Sequence, residues 1–249
     1  MDLKEEQAIG GDPAAHWYYI SKGRAIRSLI GEGSFASLLD VGAGSGVFSR
    51  MLTRDGVADE AVCVDPNYTD EWLAEHREGA VRYVRSVAEC VAPLVLMIDV
   101  IEHVDDDVAL ISGYAQIAKP GTKFLISVPA FNFLWSSHDD FLEHRRRYTL
   151  ETLERAVEAA GLEPLTLRYF FGMLFPAVAA MRIADRVLKG GGEAKESAMR
   201  AAPDWLTKTL VAIHDVERAT LFPLNRLAGV TAFCLAEKPA ALAKAADAA

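Results

Sequence analysis

Three glycines at alternate positions, Gly42, Gly44 and Gly46, follow a short apolar run that ends on an acid, in Leu38-Leu39-Asp40-Val41-Gly42-Ala43-Gly44-Ser45-Gly46. Glycines so spaced let backbone approach a bound ligand closely, and a helix opening at Gly46 offers it unpaired N–H groups. This is nucleotide-binding chemistry, and the spacing narrows it. A dinucleotide fingerprint, G-x-G-x-x-G, needs a glycine at position 47, where this chain has Val47. Two more apolar runs close on acids, Ala61-Val62-Cys63-Val64-Asp65 and Leu94-Val95-Leu96-Met97-Ile98-Asp99. A second reactive stretch is Ser136-Ser137-His138-Asp139-Asp140-Phe141-Leu142-Glu143-His144-Arg145-Arg146-Arg147-Tyr148. Histidine titrates in the range useful to a base, and Asp139 or Glu143 is placed to orient it.

These groups need a scaffold that brings strand ends together, and the pattern around them supplies one. His16–Ile30 reads as a helix, Leu38–Val41 as a first strand, and Gly46 opens a helix to about Arg54. Further strands fit Ala61–Asp65, Val81–Arg85, Leu94–Asp99, Lys123–Val128, Leu165–Tyr169 and Val230–Glu237. Asp105–Lys119 reads as a helix with acids in its first turn and Pro120 stopping it. Thr149 caps another, whose Leu150, Leu153, Val157 and Ala160 share a face and which ends at Gly161. Strands alternating with helices specify an α/β fold: a doubly wound, mostly parallel seven-stranded sheet with helices on both faces. Its strand-end acids gather at the carboxyl edge, where such sheets bind ligands.

The bulk properties narrow the class further. At 249 residues the chain can bury a full core. A net charge of −9 argues against nucleic-acid binding. Cys63, Cys90 and Cys234 lie far apart with no C-x-x-C pair, as expected of buried thiols in a reducing cytoplasm. Met1–Glu6 is acidic and polar, unlike a signal peptide, and no 18-residue apolar run predicts a spanning helix. The expected location is cytoplasmic, with peripheral membrane contact open to the apolar Tyr169–Ala184 segment.

With these motifs in order, the chain from Trp17 to Lys238 resembles the class I S-adenosylmethionine (SAM) dependent methyltransferases, and its Asp99-x-x-Glu102-His103 is similar to the E-x-x-E-H segment of ubiquinone-pathway and small-RNA O-methyltransferases. The resemblance implies SAM as cofactor. It assigns the binding site to Asp40, Gly42, Ala43, Gly44 and Gly46 in the turn, Asp65 and Pro66 at the ribose, Ala88 and Glu89 flanking adenine, and Asp99 and Val100 at the methionine end. It implies organisation as a SAM-binding core over 1–168 with an N-terminal capping helix, a helical insert or lid over 169–228, a final strand over 229–239 and an Ala-rich tail over 240–249. Gly190-Gly191-Gly192 is read as a flexible joint in the insert.

Methyl transfer from a sulfonium is an in-line displacement, so the protein positions the nucleophile and, for a hydroxyl, removes its proton. His138 or His144 is the candidate base, with Asp139 as orienter. In the resembling O-methyltransferases a divalent cation sits on E-x-x-E-H. Here the first acid is Asp99 rather than Glu, and the expectation is no metal, with Glu102 and His103 lining the pocket and standing as the ligands should one bind. The apolar Phe170–Pro176 stretch and the arginine run suggest a small or lipid-linked, anionic acceptor, and O-methylation is the reading preferred over N- or C-methylation. The alternative of another class is a SAM-binding regulatory module acting through its insert. The histidine loop favours catalysis, because a binder needs no proton acceptor.

Overall fold

The computed structural model describes residues 12–76, 79–189 and 203–240. The acidic N-terminal residues, the Gly190-Gly191-Gly192 joint and positions 241–249 of the Ala-rich tail lie outside them. The strands are β1 Phe35–Val41, β2 Ala58–Val64, β3 Val81–Val84, β4 Leu94–Ile98, β5 Lys123–Pro129, β6 Glu163–Phe170 and β7 Thr231–Glu237. The helices are α1 Trp17–Ile30, α2 Val47–Arg54, α3 Asp70–Glu75, α4 Asp107–Ile117, α5 Ser137–Phe141, α6 Leu150–Ala159, α7 Phe175–Lys189 and α8 Asp204–Thr220. The strands form one sheet in the order β3-β2-β1-β4-β5-β7-β6. Its first five strands are parallel, and β7 pairs antiparallel with both β5 and β6.

Strands covered on both faces should be apolar throughout, and the central ones are: every residue of β4 is buried, as are Phe124–Val128 of β5. Alternate side chains enter different layers. Leu39, Val95, Met97 and Ile126 pack with Ile111 of α4 and Leu153 and Val157 of α6. Leu38, Leu94, Leu96 and Leu125 pack on the other face with Ile26 of α1 and Phe48 and Leu52 of α2. The acids thus hang from rigid strands at one edge.

Several boundaries differ from the sequence reading. β1 begins at Phe35, where Phe35 N–H bonds Val57 O and the pairing with β2 starts. α3 was not expected; it is a short helix capped by Thr69, whose hydroxyl accepts from Trp72 N–H at 3.1 Å. The stretch after β5 is not a plain loop but holds a 3-10 turn, Asn132–Leu134, and α5. β6 runs to Phe170, so the insert leaves the sheet two residues beyond the expected boundary. Within the insert, α8 lies along α1: Trp17 stacks on His214 with centroids 5.8 Å apart, and Arg24 pairs with Asp215. No helix among the described residues is long and apolar enough to cross a membrane.

The turn after β1 has little room. Gly46 has φ +73°, and a Cβ there would meet Cys63 Sγ at 2.8 Å and the Tyr83 hydroxyl at 3.0 Å. Gly46→Ala should therefore destabilise the fold by about 2–4 kcal/mol, combining left-handed strain with overpacking. The shift in a urea unfolding midpoint measures it.

Candidate active site

Backbone strain marks the working edge of the sheet. Among the described residues, four non-glycine residues have positive φ: Asp99 (53°) directly after β4, Phe131 (58°) just after β5, Phe171 (58°) directly after β6, and Glu143 (59°) in the segment following α5. Such conformations cost about 1–3 kcal/mol each and collect where function holds them. Three of the four sit at the carboxyl ends of β4, β5 and β6, and Glu143 belongs to the histidine segment at the same edge.

The glycine turn occupies this edge. Gly42 and Ala43 N–H both bond Val64 O, at 2.7 and 3.2 Å, which ties the turn to the end of β2. Asp65 is buried and accepts from Gly44 N–H at 3.3 Å and Asn67 N–H at 2.9 Å, so its carboxylate lies against the turn. Tyr68 reaches back to donate to Gly44 O at 2.6 Å. Asp40 is placed differently from the other acids. It is buried within β1 and accepts the Ser49 hydroxyl at 2.7 Å, bracing the start of α2 from beneath. Burial, against the Ser49 hydrogen bond and reinforced by Asp65, pushes its carboxyl up to about 6. Pro66, Ala88 and Glu89 are exposed beyond β2 and β3, and Val100 is half-buried after β4.

Asp99 is not a solvated strand end. Lys22 of α1, whose side chain is fully buried, forms an ion pair with it. Tyr18 donates to the same carboxylate at 3.3 Å and Ser127 of β5 at 3.2 Å, while Lys22 also reaches the Tyr18 hydroxyl at 3.1 Å. Burial alone would raise the Asp99 carboxyl, but the Lys22 ammonium more than offsets this and holds it below its ordinary value. Nothing in the sequence signals this pair, whose partners lie 77 residues apart.

The histidine segment folds around one carboxylate. Asp139 is fully buried and accepts from Ser136 N–H, from Arg147 Nε at 2.6 Å and its terminal nitrogen at 3.0 Å, and bonds His144 Nδ1 at 2.9 Å. Burial opposes its charge, yet the His144 and Arg147 bonds hold this carboxyl far below the usual range. The Asp139 carboxylate is therefore an acceptor only, so His144 Nδ1 carries the proton of their hydrogen bond. The rings of His144 and His103 meet edge-on at 4.7 Å. Glu102, His103 and His144 offer ligand atoms that all lie within 4.8 Å of one another. Glu102 is fully buried and neither carboxylate oxygen has a hydrogen-bond partner among the described residues; burial, then the charge of Asp99, raises its carboxyl well above normal. His138, on α5, is not part of this trio.

The arginine run, read as a possible grip on an anionic acceptor, is engaged internally. Arg147 holds Asp139 and Ala130 O; Arg146 holds Val104 O and Asp105 O; Arg145, about half exposed, pairs with Asp105 at 3.5 Å. Tyr148 is buried and donates to Asp107 at 2.6 Å.

A family model described as a methyltransferase domain matches residues 17–167. The chain belongs to this family. It is a class I SAM-dependent methyltransferase, with SAM its cofactor. The methyltransferase is 32% identical over 109 residues to a ubiquinone biosynthesis O-methyltransferase of Rhodopseudomonas palustris, covering 40% of this chain and 41% of that one. It is 31% identical over 101 residues to the protein of the same name from Xanthomonas oryzae pv. oryzae, covering 37% and 42%. It thus spans less than half the length of these relatives. A SAM-dependent methyltransferase from Archaeoglobus fulgidus superimposes with a TM-score of 0.53 over 94% of this chain and 97% of the other, at 16% identity, a likeness of fold.

The methyltransferase's residues suit SAM chemically. The turn between β1 and α2 has left-handed backbone at Gly42, Gly44 and Gly46, and a carboxylate, Asp65, which can accept two hydrogen bonds, stands beside it. Asp40, by contrast, is turned into the core. Its titration gives a signed expectation. The folded protein keeps the Asp40 proton to pH about 6, whereas an unfolded chain releases it near 3.8, so this group costs stability as pH rises from about 4 to about 6. Asp40→Asn, which keeps an acceptor for Ser49, should raise the melting temperature above pH 6 by the equivalent of at most about 3 kcal/mol. The gain should vanish toward pH 4 in a melting series.

Proposed function

We propose that this methyltransferase methylates a hydroxyl of a small or lipid-linked acceptor, with His144 as proton acceptor and Asp139 as its orienter. The observation that supports the reading is the buried Asp139–His144 pair, whose carboxylate orients the imidazole, with a His144 ring nitrogen within 4.8 Å of ligand atoms of Glu102 and His103. SAM, when bound, supplies an electrophilic methyl on a sulfonium. The chain's own part is to place the hydroxyl in line, strip its proton onto His144 Nε2, and keep water out. Asp139 stabilises the imidazolium that forms and, held far below the usual carboxylate range, stays ionised throughout. The names of the two O-methyltransferase relatives support a hydroxyl acceptor, and the aromatic wall of Phe131, Phe133 and Phe175 supports an apolar one: Phe131 lies 5.5 Å and Phe133 6.0 Å from Phe175.

One observation favours a second reading, in which Glu102, His103 and His144 hold a divalent cation. The two buried Glu102 oxygens have no hydrogen-bond partner among the described residues, and a histidine whose other nitrogen is bound to a carboxylate is the usual metal-binding arrangement. The ion would act as a Lewis acid toward the acceptor hydroxyl.

Release of S-adenosylhomocysteine with a panel of hydroxyl and amine acceptors tests the first reading. His144→Ala should lower kcat by about 10²–10⁴-fold while SAM affinity holds. Unchanged turnover, or a preference for amines, overturns it. Exhaustive chelation separates the readings: turnover lost and restored by a divalent ion assigns the metal, and turnover that persists removes it.

A further inference from the structure

We infer that the turn joining α8 to β7, Leu221–Leu227, is a wedge by which the protein seats itself on an anionic lipid surface. Leu221, Leu224 and Leu227 are 51%, 80% and 90% exposed, and Pro223 is exposed among them. Leucines this exposed and this close together form a patch that needs an explanation, whereas single ones do not.

The turn holds them out by construction. Phe222 is buried against Phe170 and Phe233, with centroids 4.9 and 6.0 Å away. Asn225 staples the base of the turn. Its side-chain oxygen accepts from Leu227 N–H at 3.1 Å, its amide donates to Tyr169 O at 3.1 Å and Ala228 O at 2.8 Å, and its backbone carbonyl accepts from Tyr169 N–H. Arg168 Nε donates to Pro223 O at 2.6 Å. The leucines therefore project from a braced, convex turn. A groove would suit another protein's side chain; a convex apolar tip suits a soft medium that closes around it.

Charge selects which medium. The whole chain carries −9, yet residues 169–230 contain eight Lys or Arg against six Asp or Glu. Arg226 is exposed between Leu224 and Leu227. The insert is thus net basic in an acidic protein, and it is the region that presents the leucines. Apolar burial plus a basic rim is how interfacial segments hold anionic bilayers. Because the insert leaves β6 and rejoins β7 at the carboxyl edge, the wedge lies on the same side of the sheet as the SAM turn and the histidine cluster. A lipid-linked acceptor would then meet the site from the surface the wedge occupies. The inference stands whether or not His144 is the proton acceptor.

Co-sedimentation of the full chain with phosphatidylcholine vesicles, with and without phosphatidylglycerol, tests it. The wild type should partition onto the phosphatidylglycerol vesicles, and salt should weaken that binding. Leu224→Ser with Leu227→Ser should lower partition by about tenfold or more, while the melting temperature and SAM binding hold. Arg226→Glu should lower it selectively at low salt. A wild type that stays in the supernatant overturns the inference, as does a double variant that binds like the wild type. Binding indifferent to phosphatidylglycerol removes the anionic surface. If analytical ultracentrifugation shows a dimer that the double variant disperses, and no vesicle binding accompanies it, the leucines serve a second copy of the chain and the lipid assignment falls.

Discussion

A lysine ammonium sealed from water must find an anion inside the protein, and Lys22 finds Asp99. The pairing fixes more than two side chains. Removing one partner of such a buried pair typically costs about 3–5 kcal/mol, because the other is left charged and dry. α1 is thereby locked to the end of β4, with Tyr18 joining the same carboxylate. α1 in turn carries the insert: Tyr18 stacks on Phe171 at 5.4 Å, and Trp17 lies against His214. The strained backbone of Asp99 is held from both sides, by Lys22 and by Ser127 of β5.

The histidine segment repeats this logic with a different anion. Asp139 is a buried carboxylate with more donors than most, and each donor comes from its own short stretch of chain. The segment after β5 buries Leu134 and Leu142, and a charge satisfied on all sides gives it a second, polar centre. Glu102, just beyond the adjacent strand β4, is the contrasting case: equally buried, but with both oxygens unmet among the described residues. The site therefore sets a saturated acid beside an unsaturated one, with His144 between them.

How far this was legible in the sequence follows from how local each signal is. β4 and β5 are unbroken apolar runs because both faces are covered, and the glycine turn is a local pattern, so the sheet and a nucleotide-binding turn could be read directly, while SAM itself came from the family resemblance. α3 has only six residues, too few for periodicity to show. The Lys22–Asp99 pair spans 77 residues, and nothing in either neighbourhood points to the other. Spacing left His138 and His144 equivalent; only burial of Asp139 and the path of the chain past Glu102 distinguish them. The arginine run looked like a grip on a substrate anion because three charges in a row look exposed, whereas Arg147 is nearly as buried as its partner.

The place of β7 has a consequence for the order in which the molecule can assemble. It lies between β5 and β6, yet among the described strands it is the last in sequence. While the chain is being synthesised, β5 presents a bare edge and β6 has no neighbour to pair with, until residues 231–237 emerge. For that interval the insert is already made but hangs from an open sheet, and the edge of β5 is available to any other extended chain. A ribosome that stalls between residues 170 and 230 would thus expose a sticky, half-closed domain, and the final strand acts as the clasp that ends the exposure.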